Sequence, residues 1–149
     1  MQDDSAAAID HGEIAFFIGN LCQEADLIYR FGYALTLSEL GAERLLMETY
    51  RSVLGQLHRM LESDSHTIRM ELMKAAWVAF SSWKDKFDTT DSLVLDLFQS
   101  LKPDVRVPFA VVDGLGFTPD EAGQILHLSE DRVRHSLLQG RKKMISFDL

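Results

Sequence analysis

The sequence predicts an all-α fold of two small helical domains joined by a short linker, and three observations carry that expectation. Apolar residues recur at spacings of three and four, and period-two alternation is absent. Only 3 prolines occur, and turn-type residues gather at a few places between the periodic stretches. The 149 residues, 46% of them apolar and 26% charged, allow one ordinary domain or two very small ones.

Each element follows from its own pattern. Ile14, Phe17, Ile18, Leu21 and Ala25 form one helical stripe, which predicts a first helix over about 12–31 with an extension toward Leu37. Ser38-Glu39-Leu40-Gly41 breaks the period as a turn. Leu45, Leu46, Thr49, Tyr50, Val53, Leu54 and Leu57 make the apolar stripe of a second helix over about 41–61. A polar loop at 62–66 leads to a third helix carrying Ile68, Leu72, Met73, Ala76, Trp77 and Phe80 and ending near Trp83.

The charged, aperiodic stretch 84–91 reads as the linker, which divides the chain into domains 1–87 and 88–149. Beyond it, 92–100 is expected to be helical, with Asp91 or Ser92 as N-cap. The next helix, 104–113, contains Pro108, so it is expected to kink or start late. Thr118-Pro119-Asp120-Glu121 has the form of a capping box with proline at the first helical position. Ser129 caps a last helix, where Glu130 and Asp131 suit the positive end of the dipole and Val133, Leu137, Leu138 and Met144 supply a buried side.

Charge and composition exclude several function classes. The net charge is −8, so bulk electrostatic attraction to nucleic acid is excluded and any such contact must be local. The local candidate is Arg132, Arg134, Arg141, Lys142 and Lys143, a basic cluster uninterrupted by acids. The longest apolar runs, 14–18 and 75–80, fall far short of the roughly 20 residues of a membrane span. The acidic start Met1-Gln2-Asp3-Asp4 is unlike a secretory signal, so a cytoplasmic protein is expected, with no membrane partner. Cys22 is the single cysteine, and none of the histidines (His11, His58, His66, His127, His135) stands at metal-ligand spacing, so neither metal nor cofactor is expected. No phosphate loop, nucleophile elbow or zinc-protease motif is present, and the chain is read as no enzyme.

The segment 118–143 has the spacing of a helix-turn-helix with its turn at His127-Leu128-Ser129. Its second helix would present Arg132, Arg134, His135 and Gln139 to base edges or phosphates, with Arg141, Lys142 and Lys143 following. The same charges also suit a solvated helix face. Trp77, Phe80 and Trp83 allow either base stacking or core packing.

Leu101-Lys102-Pro103-Asp104-Val105-Arg106, then Gly116-Phe117-Thr118-Pro119-Asp120-Glu121-Ala122-Gly123-Gln124-Ile125-Leu126, then 129–144, resembles region four of extracytoplasmic-function sigma factors. Upstream, 28–37 followed by Ala42-Glu43-Arg44-Leu45-Leu46-Met47-Glu48-Thr49-Tyr50 resembles region two of the same family, in the correct order and separation. The resemblance implies a transcription initiation protein that binds core RNA polymerase and promoter DNA. It implies polymerase docking through the helix carrying Glu43, Glu48 and Arg51, and promoter reading through 118–143. The chain departs from the family pattern in having His127 where the turn usually has glycine, Ser136 where arginine is common, and few basic residues after position 61. These departures and the acidity motivate an alternative. A sigma mimic would keep the fold and bind an anti-sigma factor or another regulator without opening DNA, and a homodimer is a variant of that alternative.

Overall fold

Short polar side chains set most of the helix starts. The computed structural model describes residues 22–56, 59–60, 62–84 and 96–146, and every regular element among them is helical. Helix α1, Ala25–Thr36, stops where Leu37 turns left-handed (φ 55°), its N–H bonding back to Tyr33 O at 2.7 Å. Ser38 is extended and its hydroxyl accepts from Gly41 N at 3.2 Å, so only two residues separate the end of α1 from the start of α2, Glu39–Leu54. The expected turn over 38–41 is thus only Leu37 and Ser38, because Ser38 acts as an N-cap rather than as a loop residue. The two backbones approach closely: a Cβ on Gly32 would lie 3.0 Å from Ala42 Cα.

Helix α2 ends at Leu54, with Gly55 as its C-cap, short of the expected residue 61. Asp64 accepts from Thr67 N at 2.7 Å and starts α3, Ser65–Ser81, inside the stretch expected to be loop. The expected first-helix residues 12–21, the caps at Asp91 and Ser92 and most of the expected linker lie outside the described residues. Helix α4 is Asp96–Ser100.

Helix α5, Pro103–Phe109, starts one residue early because proline suits its first position. Pro108 lies inside it, as the sequence shows, and the chain answers by widening into a π-helical turn, Ala110–Gly114. Pro108 has no N–H for the carbonyl of Asp104, four residues back. That carbonyl instead accepts from Ser136 Oγ at 3.1 Å, a donor from another helix.

The capping box is present: Glu121 N donates to Thr118 Oγ1 (3.1 Å) and Thr118 N to Glu121 Oε1 (2.9 Å), opening α6, Pro119–Leu126. Helix α7, Glu130–Ser146, follows after a three-residue turn.

One apolar core runs through helices from both sides of the expected linker. Ile28, Phe31, Leu45, Leu72, Met73 and Phe80 belong to the same cluster as Leu101, Phe109, Val111, Ile125, Val133 and Leu137. Arg106 bridges the two parts although it is only 5% exposed: Nε donates to Ala34 O at 3.0 Å and Nη2 to Leu35 O at 3.1 Å. These are carbonyls at the C-terminal end of α1, where a cation meets the negative end of the dipole. Burial pulls the Arg106 pKa below the ordinary arginine value, yet a guanidinium stays charged at any physiological pH. On the surface, His66 of α3 meets Glu121 of α6 at 2.8 Å.

Candidate nucleic-acid interface and partner face

The turn between α6 and α7 is built from local chemistry. His127 sits in the left-handed region (φ 58°, ψ 44°) that ends many helices and usually belongs to glycine. The N–H of Leu128 returns to Gly123 O at 3.0 Å. Gly123 is required by proximity, since a Cβ there would lie 2.7 Å from Leu128 O. Ser129 Oγ then accepts from Arg132 N at 3.2 Å and starts α7 in a new direction.

Helix α7 buries Val133, Ser136, Leu137 and Gly140 against α5 and the rest of the core. Gly140 is needed where the ring of Phe109 presses on the helix: a Cβ would meet Phe109 Cγ at 2.7 Å. At about 100° per residue, the basic cluster that is contiguous in sequence is dispersed around the remaining surface. Arg132, Gln139 and Lys143 fall on one flank, and Arg134 and Arg141 on the opposite one. His135 and Lys142 lie on the crest between them, and all seven are exposed.

Electrostatic partners separate these residues further. Arg141 makes a two-pronged ion pair with Asp113 at 2.9 and 2.8 Å, and that guanidinium holds the Asp113 carboxyl below its usual pKa. Arg141 is therefore committed to the π turn. Arg134 lies 3.5 Å from Glu130 across one helical turn, an exposed pair of little strength. His135 and Gln139 share a hydrogen bond at 3.0 Å. The crest also carries Asp131, Leu138 and Ile145, the last 85% exposed; of the expected buried side only Val133 and Leu137 are buried, whereas Leu138 and Met144 are exposed.

The candidate polymerase-binding residues are likewise divided. Glu43 and Arg51 are exposed on the outer face of α2. Glu48 is engaged inward, accepting from Arg44 Nε at 2.8 Å and Trp83 Nε1 at 3.0 Å. Burial pushes its carboxyl up, but those two hydrogen bonds and the nearby Arg44 and Arg51 charges outweigh it and leave the pKa below the ordinary value. The Arg44 guanidinium rests 3.9 Å over the Trp83 ring.

Sequence reasoning missed the apolar part of this face. Leu40, Met47 and Leu54 are 76%, 60% and 60% exposed and recur every seven residues beside Glu43 and Arg51. Leu54, which the periodicity places in the buried stripe, is exposed instead, and its seven-residue spacing from Met47 and Leu40 is the signal for that. Of the three aromatics, Phe80 and Trp83 are buried, with ring centroids 5.4 Å apart, and Trp77 is partly buried 5.8 Å from Phe80. Phe80 and Trp83 are core residues, not base-stacking platforms.

Among the described residues, no cluster of His, Cys, Asp and Glu could hold a metal ion, and no helix is long and apolar enough to cross a membrane. No family model matches the chain, and comparison with curated proteins and with solved structures finds no match to either.

Proposed function

We propose that this chain is a sigma-factor-like transcription initiation protein, whose α6–α7 helix-turn-helix binds promoter DNA and whose outer α2 face binds core RNA polymerase. The observation that carries the reading is the doubly capped turn at 127–129, which seats α7 on Val133 and Leu137 and leaves Arg132, His135, Gln139, Lys142 and Lys143 in solvent. Such a helix can enter a major groove, where arginine and glutamine side chains distinguish guanine and adenine edges. The reading uses Arg132 and the two lysines and leaves Arg141 to its pair with Asp113. With Phe80 and Trp83 buried, it gives them no part in strand melting.

The polymerase arm rests on Leu40, Met47 and Leu54 flanked by Glu43 and Arg51, an apolar strip with charged edges of the kind that accepts a partner helix. Introducing Met47→Glu together with Glu43→Lys should weaken co-purification of core polymerase at least tenfold, as expected when a central contact is lost. Recovery equal to the wild type would remove this arm of the proposal.

A second reading, a sigma mimic that binds an anti-sigma factor or a similar regulator, is favoured by one feature of α7. Its first turn, where a reading helix places base contacts, carries Glu130 and Asp131, and its crest exposes Leu138 and Ile145. Carboxylates there repel phosphate, and exposed leucine and isoleucine suit a protein partner better than a groove. A homodimer is a variant of the same reading, and sedimentation at micromolar concentration distinguishes it.

A further inference from the structure

A cleft of about 440 Å³ opens between α1, α4, the π turn and the end of α7, on the side of α7 where Arg141 meets Asp113, and no residue of α2 lines it. Its walls include Tyr29, Tyr33, Phe98, Phe109, Leu115 and Met144. The space exists because small residues line it where the helices approach: Ala34 on α1, and Ala110 and Gly114 on the π turn. A π turn displaces the residues after it relative to an α-helix, and such turns are frequent at binding sites.

The charged groups at the rim, Arg30 and Asp113, each have a partner already. Arg30 Nη2 donates to Gly114 O at 3.1 Å, and its Nη1 lies 4.0 Å from Asp26. Asp113 is held two-pronged by Arg141. The cleft thus offers an arriving molecule four aromatic rings and aliphatic walls, with no uncompensated charge to attract an ion.

We infer that this cleft is a binding site for a small, uncharged, mainly aromatic molecule. The volume is within the range of small-molecule sites, and a largely apolar lining with a few polar groups at one edge is their usual composition. Aromatic rings of the occupant can meet the tyrosine and phenylalanine rings in offset or edge-on geometry. An occupant touches both α1 and Met144 of α7, so it fastens the helix-turn-helix to the first helix. This site stands independently of the DNA-binding proposal.

The test titrates the full chain with N-phenyl-1-naphthylamine, a neutral aromatic dye that brightens in apolar surroundings. Saturable binding of one dye per chain is expected, together with a rise in Tm on dye addition. Ala34→Phe fills the cleft, and Met144→Glu, at a position 47% exposed, puts a charge at its mouth without disturbing the core. Either should weaken the dye at least tenfold, whereas Val78→Glu, an exposed apolar position outside the cleft, should leave it unchanged. Should Ala34→Phe fail to fold, Met144→Glu decides alone. Absence of saturable binding, unchanged affinity in the cleft variants, or an equal loss in Val78→Glu would overturn the inference.

Discussion

Pro108 removes one backbone donor from α5, and Ser136 supplies a replacement from α7, so two residues that look unrelated in sequence are physically coupled. Ser136→Ala leaves the Asp104 carbonyl without that donor and should cost about 1 kcal/mol. Pro108→Ala restores an N–H at the right position, so Ser136→Ala should cost much less in that background. Urea denaturation of the four proteins of the cycle measures the coupling, and additive effects would refute it. His127 gives a second residue-scale expectation. An L-residue held left-handed pays roughly 1 kcal/mol in backbone strain, so His127→Gly should raise stability by about 0.5 kcal/mol after the added unfolded-state entropy of glycine. A drop in Tm would show that the imidazole does something beyond occupying the turn. The departure at 127 was legible as an anomaly in the sequence. Ser136 was not, because its partner lies 32 residues away.

At the scale of elements, starts were legible wherever their cause was local. The Thr118–Glu121 box and the Ser129 cap involve residues three apart, and both are present as read. Ser38 and Asp64 obey the same rule, but their neighbours resemble turn residues, so the helices they cap begin earlier than periodicity alone suggested. The candidate site was only half legible. Helical rotation splits the basic cluster over two flanks, and the Asp113 that engages Arg141 is 28 residues upstream. Two such element-joining contacts make stability sensitive to acid. Asp113, held by Arg141, and Glu48, held by Arg44 and Trp83, both have folded-state pKa values below the ordinary carboxylate value. A depressed folded pKa contributes stability that is complete above the unfolded value, about 4, and is lost as pH falls through the folded value. The midpoint in urea should therefore hold from pH 7 to about pH 5 and fall below pH 4. In Asp113→Asn that acid-dependent fall should be shallower, and an identical slope would exclude the Asp113 contribution.

For the whole molecule, the fold class was legible because helical periodicity needs only one sequence, whereas the packing of the two expected domains was not. What joins them, Arg106 on the carbonyls of Ala34 and Leu35 and the shared apolar cluster, is entirely long-range. A shared core should unfold as one unit. Both tryptophans, Trp77 and Trp83, lie in the first part, so their fluorescence reports that part while helical circular dichroism reports both. Coincident thermal transitions are expected, and a separate fluorescence step would mean two independent domains. The functional proposal stands on α7 as a reading helix, and selection from a pool of random duplexes at moderate salt tests that most directly. The expected result is an enriched sequence motif whose binding falls about tenfold in Arg132→Ala, in line with the roughly 1–3 kcal/mol of a base-reading contact, and is unaffected by Arg141→Ala. No enrichment, or a motif bound equally well without Arg132, would contradict it.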